Sequence, residues 1–159
     1  MTISATVQRY LQDRGVRYEV LTHPLTASSS ETAQSVHVSG DRIAKTVVLR
    51  DGDAADGYLL AVIPASHHLS LDLLQGWLGR PVELASEQEI GKLFPDCDLG
   101  AIPPLGEAYG LDVVLDDSLA GRDEVCFEGG DHQSLVKVGG DQFRMLLSGA
   151  RHGRFSTHD

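Results

Sequence analysis

Asp41-Arg-Ile-Ala-Lys-Thr-Val-Val-Leu-Arg50 is the stretch around which the rest of the chain can be interpreted. Its β-branched and aliphatic residues are typical of a strand that lies largely buried in a sheet. Lys45 is the exception, because an ammonium group inside an apolar strand must find carboxylates, carbonyl oxygens or water. Three interpretations stay open: Lys45 protects an edge strand from aggregation, packs its stem along the strand with its head in solvent, or faces a cleft and acts on a ligand.

Length and composition are those of an ordinary globular domain. The 159 residues and 17.1 kDa fit one domain, residues 1–159, that can bury a core without disulfides. No apolar run reaches the roughly 18 to 20 residues of a membrane span, and the N-terminus lacks a secretory pattern, so we expect a cytoplasmic protein. Cys97 and Cys126 have no clustered partner, and we therefore expect two reduced thiols.

The charge distribution limits the partners. The formal net charge is −10, which argues against broad electrostatic binding to DNA or to an anionic membrane. Residues 1–50 hold six Lys/Arg and four Asp/Glu, whereas residues 51–159 hold seven and nineteen. Any polyanion is therefore expected to meet the N-terminal third.

Periodicity and capping signals predict both helices and strands. Apolar residues recur at helical spacing from Ile3 to Leu11, with Ser4 or Thr2 as the cap and Gly15 as the end. Further helices are predicted to begin at Ser28, Ser70, Ser86 and Asp141. Strands are predicted at 16–23, 43–49, 58–64, 82–84, 111–115, 124–127 and 134–138, followed by a frayed tail at 151–159. The acidic turn at 51–57, rich in Asp and Gly, predicts that the strands 43–49 and 58–64 form a hairpin with a loop longer than two residues. Because strict βαβ alternation is absent, we predict an α/β (α+β) fold with a mixed, largely antiparallel sheet and surrounding helices.

Common catalytic signatures do not occur in the sequence. GxGxxG after a strand, GxxxxGK[ST], HExxH and GxSxG are all missing, so nucleotide hydrolases, zinc peptidases and serine hydrolases lack support. The pair His67-His68 suggests a metal. Neighbouring residues on a strand point to opposite faces, however, and no carboxylate or third histidine stands at ligand spacing. We therefore predict solvated loop histidines, no metal site and no cofactor.

The segment Gly100-Ala-Ile-Pro-Pro-Leu-Gly106 predicts a stiff, irregular loop, because two prolines and two bounding glycines prevent a regular element. The prolines have no N–H group, which leaves the amides of Ala101 and Ile102 as the available donors. Such a loop is either a rigid connector or a backbone surface that binds a substrate carbonyl or amine.

The segment Phe127-Glu-Gly-Gly-Asp-His132 predicts a strand that ends in glycines and two polar groups. Asp131 and His132 could orient a ligand, yet a Gly-Gly-Asp turn is equally what a hairpin requires. The residues alone leave both interpretations open.

In this order, the three segments resemble the prolyl-tRNA synthetase-associated editing domain, the YbaK-like family of freestanding aminoacyl-tRNA deacylases. The matching segments are Ile43-Ala-Lys-Thr-Val-Val-Leu49, Gly100-Ala-Ile-Pro-Pro104 and Phe127-Glu-Gly-Gly-Asp-His132. The similarity spans roughly residues 4 to 148, nearly the whole chain. It implies a mixed α/β fold with a barrel-like sheet, and hydrolysis of the ester that joins a wrong amino acid to tRNA.

The resemblance also implies roles for individual residues. Lys45 corresponds to the essential lysine of the family and is the expected catalytic residue. The expected substrate-binding residues are Thr46, Gly100, Ala101, Ile102, Pro103, Pro104, Gly130, Asp131 and His132. Many relatives carry threonine at the position of Asp131, which weakens the assignment of that residue.

The expected function is that of a freestanding trans-editing hydrolase for aminoacyl-tRNA that carries a small wrong residue such as Ala, Ser or Cys, with tRNA-Pro as the first choice. Lys45 would act as a positioning cation or, in the alternative, as a neutral general base. The acidic surface predicts that the acceptor end alone, or an aminoacyl-tRNA synthetase partner, supplies recognition. The alternative function is a non-catalytic module that binds a small ligand or a synthetase.

Overall fold

The computed structural model describes residues 3–23, 32–33 and 37–159. The helix predicted from Ser28 to about Val38 lies mostly outside these residues. Thr32 and Ala33 are described and helical, whereas His37 and Val38 are described and not helical. Within the described ranges, no helix has the length and apolar character needed to cross a membrane.

The described residues form five α-helices and ten strands. The helices are α1 (Ala5–Asp13), α2 (Leu71–Leu78), α3 (Glu87–Leu93), α4 (Asp117–Ala120) and α5 (Gly140–Leu146). The strands are β1 (Glu19–Thr22), β2 (Ile43–Arg50), β3 (Tyr58–Pro64), β4 (His67–Leu69), β5 (Glu83–Leu84), β6 (Asp112–Asp116), β7 (Glu124–Glu128), β8 (Ser134–Gly139), β9 (Arg151–Gly153) and β10 (Ser156–His158). A 3₁₀ turn, Gly106–Tyr109, follows the proline-containing loop.

Two predicted helix starts are confirmed by their caps. The Ser4 hydroxyl accepts a hydrogen bond from the amide of Val7 at 3.1 Å and so begins α1. At α3, Ser86 accepts from the Glu89 amide at 3.2 Å while the Glu89 carboxylate accepts from the Ser86 amide at 2.9 Å, which is a complete capping box.

The main sheet is mixed, and it places β2 near its centre. The strand order is β1-β8-β7-β2-β3-β6-β9, with β5 paired to β2 outside this path. Among the described strands of this sheet, four pairings are antiparallel and three are parallel. The predicted mixed, largely antiparallel sheet with surrounding helices is therefore confirmed. No pairing between the described strands joins β1 to β9, so the sheet is open.

The core lies on both faces of β3, because its residues alternate between two buried clusters. Val62 packs with the apolar residues of α1 and α5, whereas Ile63 packs with Leu74 of α2 and with Phe155. All four of these side chains are fully buried. Each such side chain contributes about 1.5 to 3 kcal/mol of transfer free energy, which explains why an apolar hairpin can anchor the fold.

The prediction of a frayed tail was wrong. Residues 151–153 add β9 to the main sheet, and residues 156–158 form β10, which pairs with β4. The tail is held because Phe155 between the two strands is fully buried against Trp77, with 5.6 Å between the ring centroids. The buried Asp116 carboxylate also accepts hydrogen bonds from the Phe155 amide and the Ser156 hydroxyl.

Candidate active site

A cavity of about 520 Å³ lies beside the lysine that interrupts the apolar run of β2. Its walls come from β2, the residues between β5 and α3, the loop at 99–102 and the end of β7. The apolar wall includes Val48, Leu84, Ile90, Leu99 and Ile102, and the polar side chains are Lys45, Thr46, Glu87 and Glu128. The cavity therefore combines a mostly apolar surface with a few polar groups, as small-molecule sites do.

Lys45 lines this cavity and is only half-buried. Its Nζ donates a hydrogen bond to the carbonyl oxygen of His67 at 3.2 Å, which satisfies one of the three ammonium donors. The neighbouring Thr46 also lines the cavity, and its Oγ1 is buried without a hydrogen-bond partner among the described residues. A donor and a hydroxyl are thus available to a ligand on this strand.

The structure brings the loop Gly100–Pro104 to the cavity only in part. Gly100 and Ile102 line it, whereas Ala101 is fully buried and Pro104 faces a different cavity beside α5. The Ala101 amide donates to the Asp98 carbonyl at 3.1 Å, so it is not the available donor that the sequence suggested. The amides of Gly100 and Ile102 have no acceptor within the described part of the chain.

Gly100 joins the loop to the glycine turn after β7. Its φ is +85°, a left-handed conformation that favours glycine, and a Cβ atom placed there would lie 3.0 Å from Cε1 of His132. The half-buried His132 is therefore held against the loop, although it does not line the cavity itself.

The glycine turn is fixed by its neighbours, and this gives Asp131 a structural role. The Gly130 carbonyl accepts from the Asp98 amide at 2.7 Å, and a Cβ at Gly130 would lie 2.9 Å from Cβ of Ser4. The Asp131 carboxylate is buried and accepts from the Gln133 amide at 3.0 Å and the Ser134 hydroxyl at 3.2 Å. It acts as an Asx-turn acceptor, which holds the hairpin between β7 and β8.

Glu128 is a cavity residue that the sequence reasoning missed. It ends β7, is 7% exposed, and its Oε2 has no hydrogen-bond partner among the described residues. Burial, together with the negative charge of Asp131, raises the pKa of the Glu128 carboxyl to about 8. The available signal was a carboxylate at the end of a buried strand, directly before two glycines.

Cys97 lies near the turn but is not an activated nucleophile. Burial raises the pKa of its thiol to about 11, and its sulfur lies 3.2 Å from the Tyr109 hydroxyl oxygen. Reactive cysteines require the opposite shift, because the thiolate is the nucleophile.

The prediction that His67 and His68 are loop residues was wrong. Both lie in β4, where His67 Nδ1 is 2.8 Å from the Ser156 hydroxyl and His68 Nδ1 is 2.9 Å from an Asp159 carboxylate oxygen. Tertiary folding also brings a carboxylate and a third histidine, Asp41 and His158, to His67, with the candidate ligand atoms within 4.8 Å of one another. Sequence spacing missed the cluster because its members come from three separate segments.

The fold and the cavity together define a small α/β domain with an apolar cleft that carries an ammonium group and a buried carboxyl group. A sequence profile of the aminoacyl-tRNA editing domain matches residues 23–146, about four fifths of the chain. The chain therefore belongs to the aminoacyl-tRNA editing domain family.

Solved structures share the fold over nearly their full length. The hypothetical protein APE2540 is 26% identical with a TM-score of 0.82, over 96% of this chain and 99% of that chain. A structure from a study of epitope backbone grafting onto scaffold proteins is 25% identical with a TM-score of 0.81, over 97% of both chains. A candidate trans-editing enzyme for prolyl tRNA synthetase is 24% identical with a TM-score of 0.79, over 98% and 99%, a likeness that concerns the fold. Comparison with curated proteins found no match.

Proposed function

We propose that the protein is a freestanding trans-editing hydrolase, which cleaves the ester of a mischarged aminoacyl-tRNA that carries Ala, Ser or Cys, with tRNA-Pro as the first candidate. Membership of the aminoacyl-tRNA editing domain family supports the editing role. The observation that carries the proposal is Lys45, a cation on the central strand that opens onto a cavity of about 520 Å³. The cytoplasm, where aminoacyl-tRNA is used, is the proposed location.

The proposed mechanism uses Lys45 as a positioning cation. An aminoacyl ester is already activated, so the enzyme mainly needs to hold it in place and to stabilise the charge that develops on its oxygens. Lys45 would hold the ester oxygens or the phosphate of the terminal adenosine, and the amides of Gly100 and Ile102 would receive the carbonyl oxygen. We assign activation of the attacking water to the ribose hydroxyl of the substrate itself.

The preference for a small amino acid rests on the apolar wall of the cavity. An apolar pocket distinguishes one methylene by only about 1 to 3 kcal/mol, so a synthetase accepts small wrong residues at a rate that makes editing useful. Val48, Ile90 and Ile102 line this wall, and their apolar surface supports the proposal of a small side chain.

Recognition of tRNA is expected to need more than surface charge. With a formal net charge of −10, the chain should bind free tRNA weakly at physiological salt. The acceptor end alone, or a synthetase that presents it, would supply the remaining affinity. Tight binding of uncharged tRNA in about 150 mM salt would contradict this part of the proposal.

The test is deacylation of a panel of mischarged tRNAs by the wild type, Lys45→Ala and Lys92→Ala. Loss of a group that stabilises developing charge typically costs about 10² to 10³ in rate, and we expect a loss of this size for Lys45→Ala. Lys92 is an exposed lysine of α3 and serves as the matched control, with unchanged activity. Full activity of Lys45→Ala would remove this residue from the mechanism.

A pH–rate profile, corrected for spontaneous ester hydrolysis, separates the two roles of Lys45. A rate that falls as the pH rises toward about 10, where lysines lose their charge, supports the cation. A rate that climbs through about pH 7 to 8 and disappears in Lys45→Ala supports a general base instead.

The second candidate function is a non-catalytic module of the same fold, which binds a small ligand or a synthetase. No hydrolysis of any mischarged tRNA by the folded wild type would favour this module. The half-buried lysine beside the cavity favours the enzyme, because a scaffold gains no stability from a charged group on a central strand.

A further inference from the structure

Among the ionisable residues described at the cavity, Glu128 is the one with a buried oxygen that no protein group satisfies. Its Oε2 has almost no solvent-accessible surface and no hydrogen-bond partner in the described part of the protein. Leaving a buried polar group unpaired costs roughly 1 to 3 kcal/mol, and folded proteins rarely tolerate it outside functional sites. The carboxyl lines the same cavity as Lys45, so a bound molecule can reach it.

The register of the sheet sets Glu128 beside Lys45. Strands β2 and β7 are parallel, with Ala44 opposite Phe127, so the next residue of each strand places Lys45 next to Glu128. The two side chains nevertheless form no ion pair, and Lys45 Nζ donates instead to the His67 carbonyl oxygen. The cavity therefore presents a cation and a separate carboxyl group to its ligand.

We infer that Glu128 is the subsite for the α-ammonium group of the aminoacyl ester, while Lys45 serves the ester and ribose end. This inference rests on the proposed function and names the part of the substrate that the enzyme recognises besides its side chain. Among the described residues Glu128 forms no ion pair with a protein cation, and the α-ammonium is the cation that every aminoacyl-tRNA carries.

The chemistry of the two groups is complementary. An α-amino group titrates near pH 7.7 to 8.0 and burial raises the pKa of the Glu128 carboxyl to about 8, so at pH 7 both groups are mostly protonated before they meet. The bound ammonium lowers the pKa of the carboxyl, which releases its proton to solvent and pairs as a carboxylate. The product is a charge-assisted hydrogen bond in a cavity that excludes much of the water. Such bonds are worth about 10- to 100-fold in affinity.

Recognition of the α-ammonium group would restrict the range of substrates further than the apolar wall of the cavity does. Esters with a free α-ammonium group should bind, whereas N-acylated esters and hydroxyacyl esters should bind poorly. The site would therefore spare an aminoacyl-tRNA whose amino group is formylated or already part of a peptide.

The experiment compares two non-hydrolysable probes by isothermal titration calorimetry at pH 7. One is adenosine that carries alanine through a 3′-amide, and the other carries lactate through the same amide, so that a hydroxyl replaces the ammonium group. The proteins are the wild type, Glu128→Gln and Glu19→Gln. Glu19 is an exposed carboxylate on β1, away from the cavity, and is the matched control.

We expect the wild type and Glu19→Gln to bind the alanyl probe about 10- to 100-fold more tightly than the lactyl probe. Glu128→Gln should lose this preference while its affinity for the lactyl probe stays within about threefold, and circular dichroism should show that it is folded. Equal binding of both probes by the wild type overturns the inference and leaves the proposed editing function standing. Binding of neither probe overturns both.

Discussion

Replacing Glu128 by glutamine should stabilise the unliganded protein by an amount that grows with pH. The native carboxyl has a pKa of about 8, raised mainly by burial, against 4.5 for an ordinary glutamate. Between these values the native state binds more protons than the unfolded state, so the free energy of unfolding of the wild type falls as the pH rises through this window. Glutamine has the same shape and no titratable proton, so the free energy of unfolding of the variant does not contain this pH-dependent loss.

The magnitude follows from the shift. Each pKa unit corresponds to ~1.4 kcal/mol, so the penalty in the wild type is roughly 1.4 kcal/mol at pH 5.5 and approaches ~4.6 kcal/mol at pH 8.5. The stability difference between Glu128→Gln and the wild type should therefore grow by about 3 kcal/mol over this range, as an upper limit because water in the cavity weakens the penalty. The range avoids the pI near 5.0, where the protein is least soluble.

The assay is urea unfolding of both proteins at intervals from pH 5.5 to 8.5. The free energies of unfolding of the two proteins are subtracted at each pH, so the titration of the groups that they share cancels. Glu87→Gln controls for the loss of one negative charge at an exposed position. A difference that stays constant with pH would refute the raised pKa. A variant that becomes less stable than the wild type as the pH rises would show that Glu128 is ionised and paired in solution, with Lys45 as its nearest cation along the sheet.

Substitutions at four further positions test the loop, the turn and the docked tail. Gly100→Ala should lower the free energy of unfolding by about 1 to 2 kcal/mol, because φ is +85° and the new methyl would lie 3.0 Å from His132. Adding His132→Ala to this variant should restore part of the lost stability, as measured by thermal unfolding. Asp131→Ala should lower the free energy of unfolding by about 1 to 3 kcal/mol, because it leaves the Ser134 hydroxyl and a turn amide unpaired. Asp131→Asn should keep most of the stability and of any deacylation rate. A large loss of deacylation rate in a stable Asp131→Asn would show a direct substrate contact instead. Phe155→Ala should cost about 3 to 5 kcal/mol in urea unfolding, and a loss below about 1 kcal/mol would show that the tail is not docked.

Much of the fold could be predicted because its signals are local. Alternating and β-branched residues predicted β2 and β3, and a loop rich in Asp and Gly predicted that they form a hairpin, which the antiparallel register from Ala44 to Arg50 confirms. The Ser-x-x-Glu spacing predicted the start of α3 for the same reason, since a capping box needs only four consecutive residues.

The residues of the candidate site were harder to predict from local sequence signals. Lys45 was noticeable as a charge in an apolar strand, and Gly100 as a glycine in a stiff loop with two prolines, because each is unusual within its own segment. The burial of Glu128 and the contact between Gly100 and His132 depend on strands and loops that are distant in sequence. For Asp131 the sequence left a ligand contact and a hairpin turn open, and the structure shows the hydrogen bonds of the turn.

The sequence by itself determined the types of element, the position of the lysine strand within an apolar hairpin, and the resemblance to editing domains, because these depend on residue order and short-range periodicity. Only the tertiary structure decided that the last nine residues are docked by Phe155, that His67 meets Asp41 and His158, and that Glu128 faces the cavity without a partner. The physical reason is that burial, and with it the pKa of a carboxyl group, is set by which distant segments pack together.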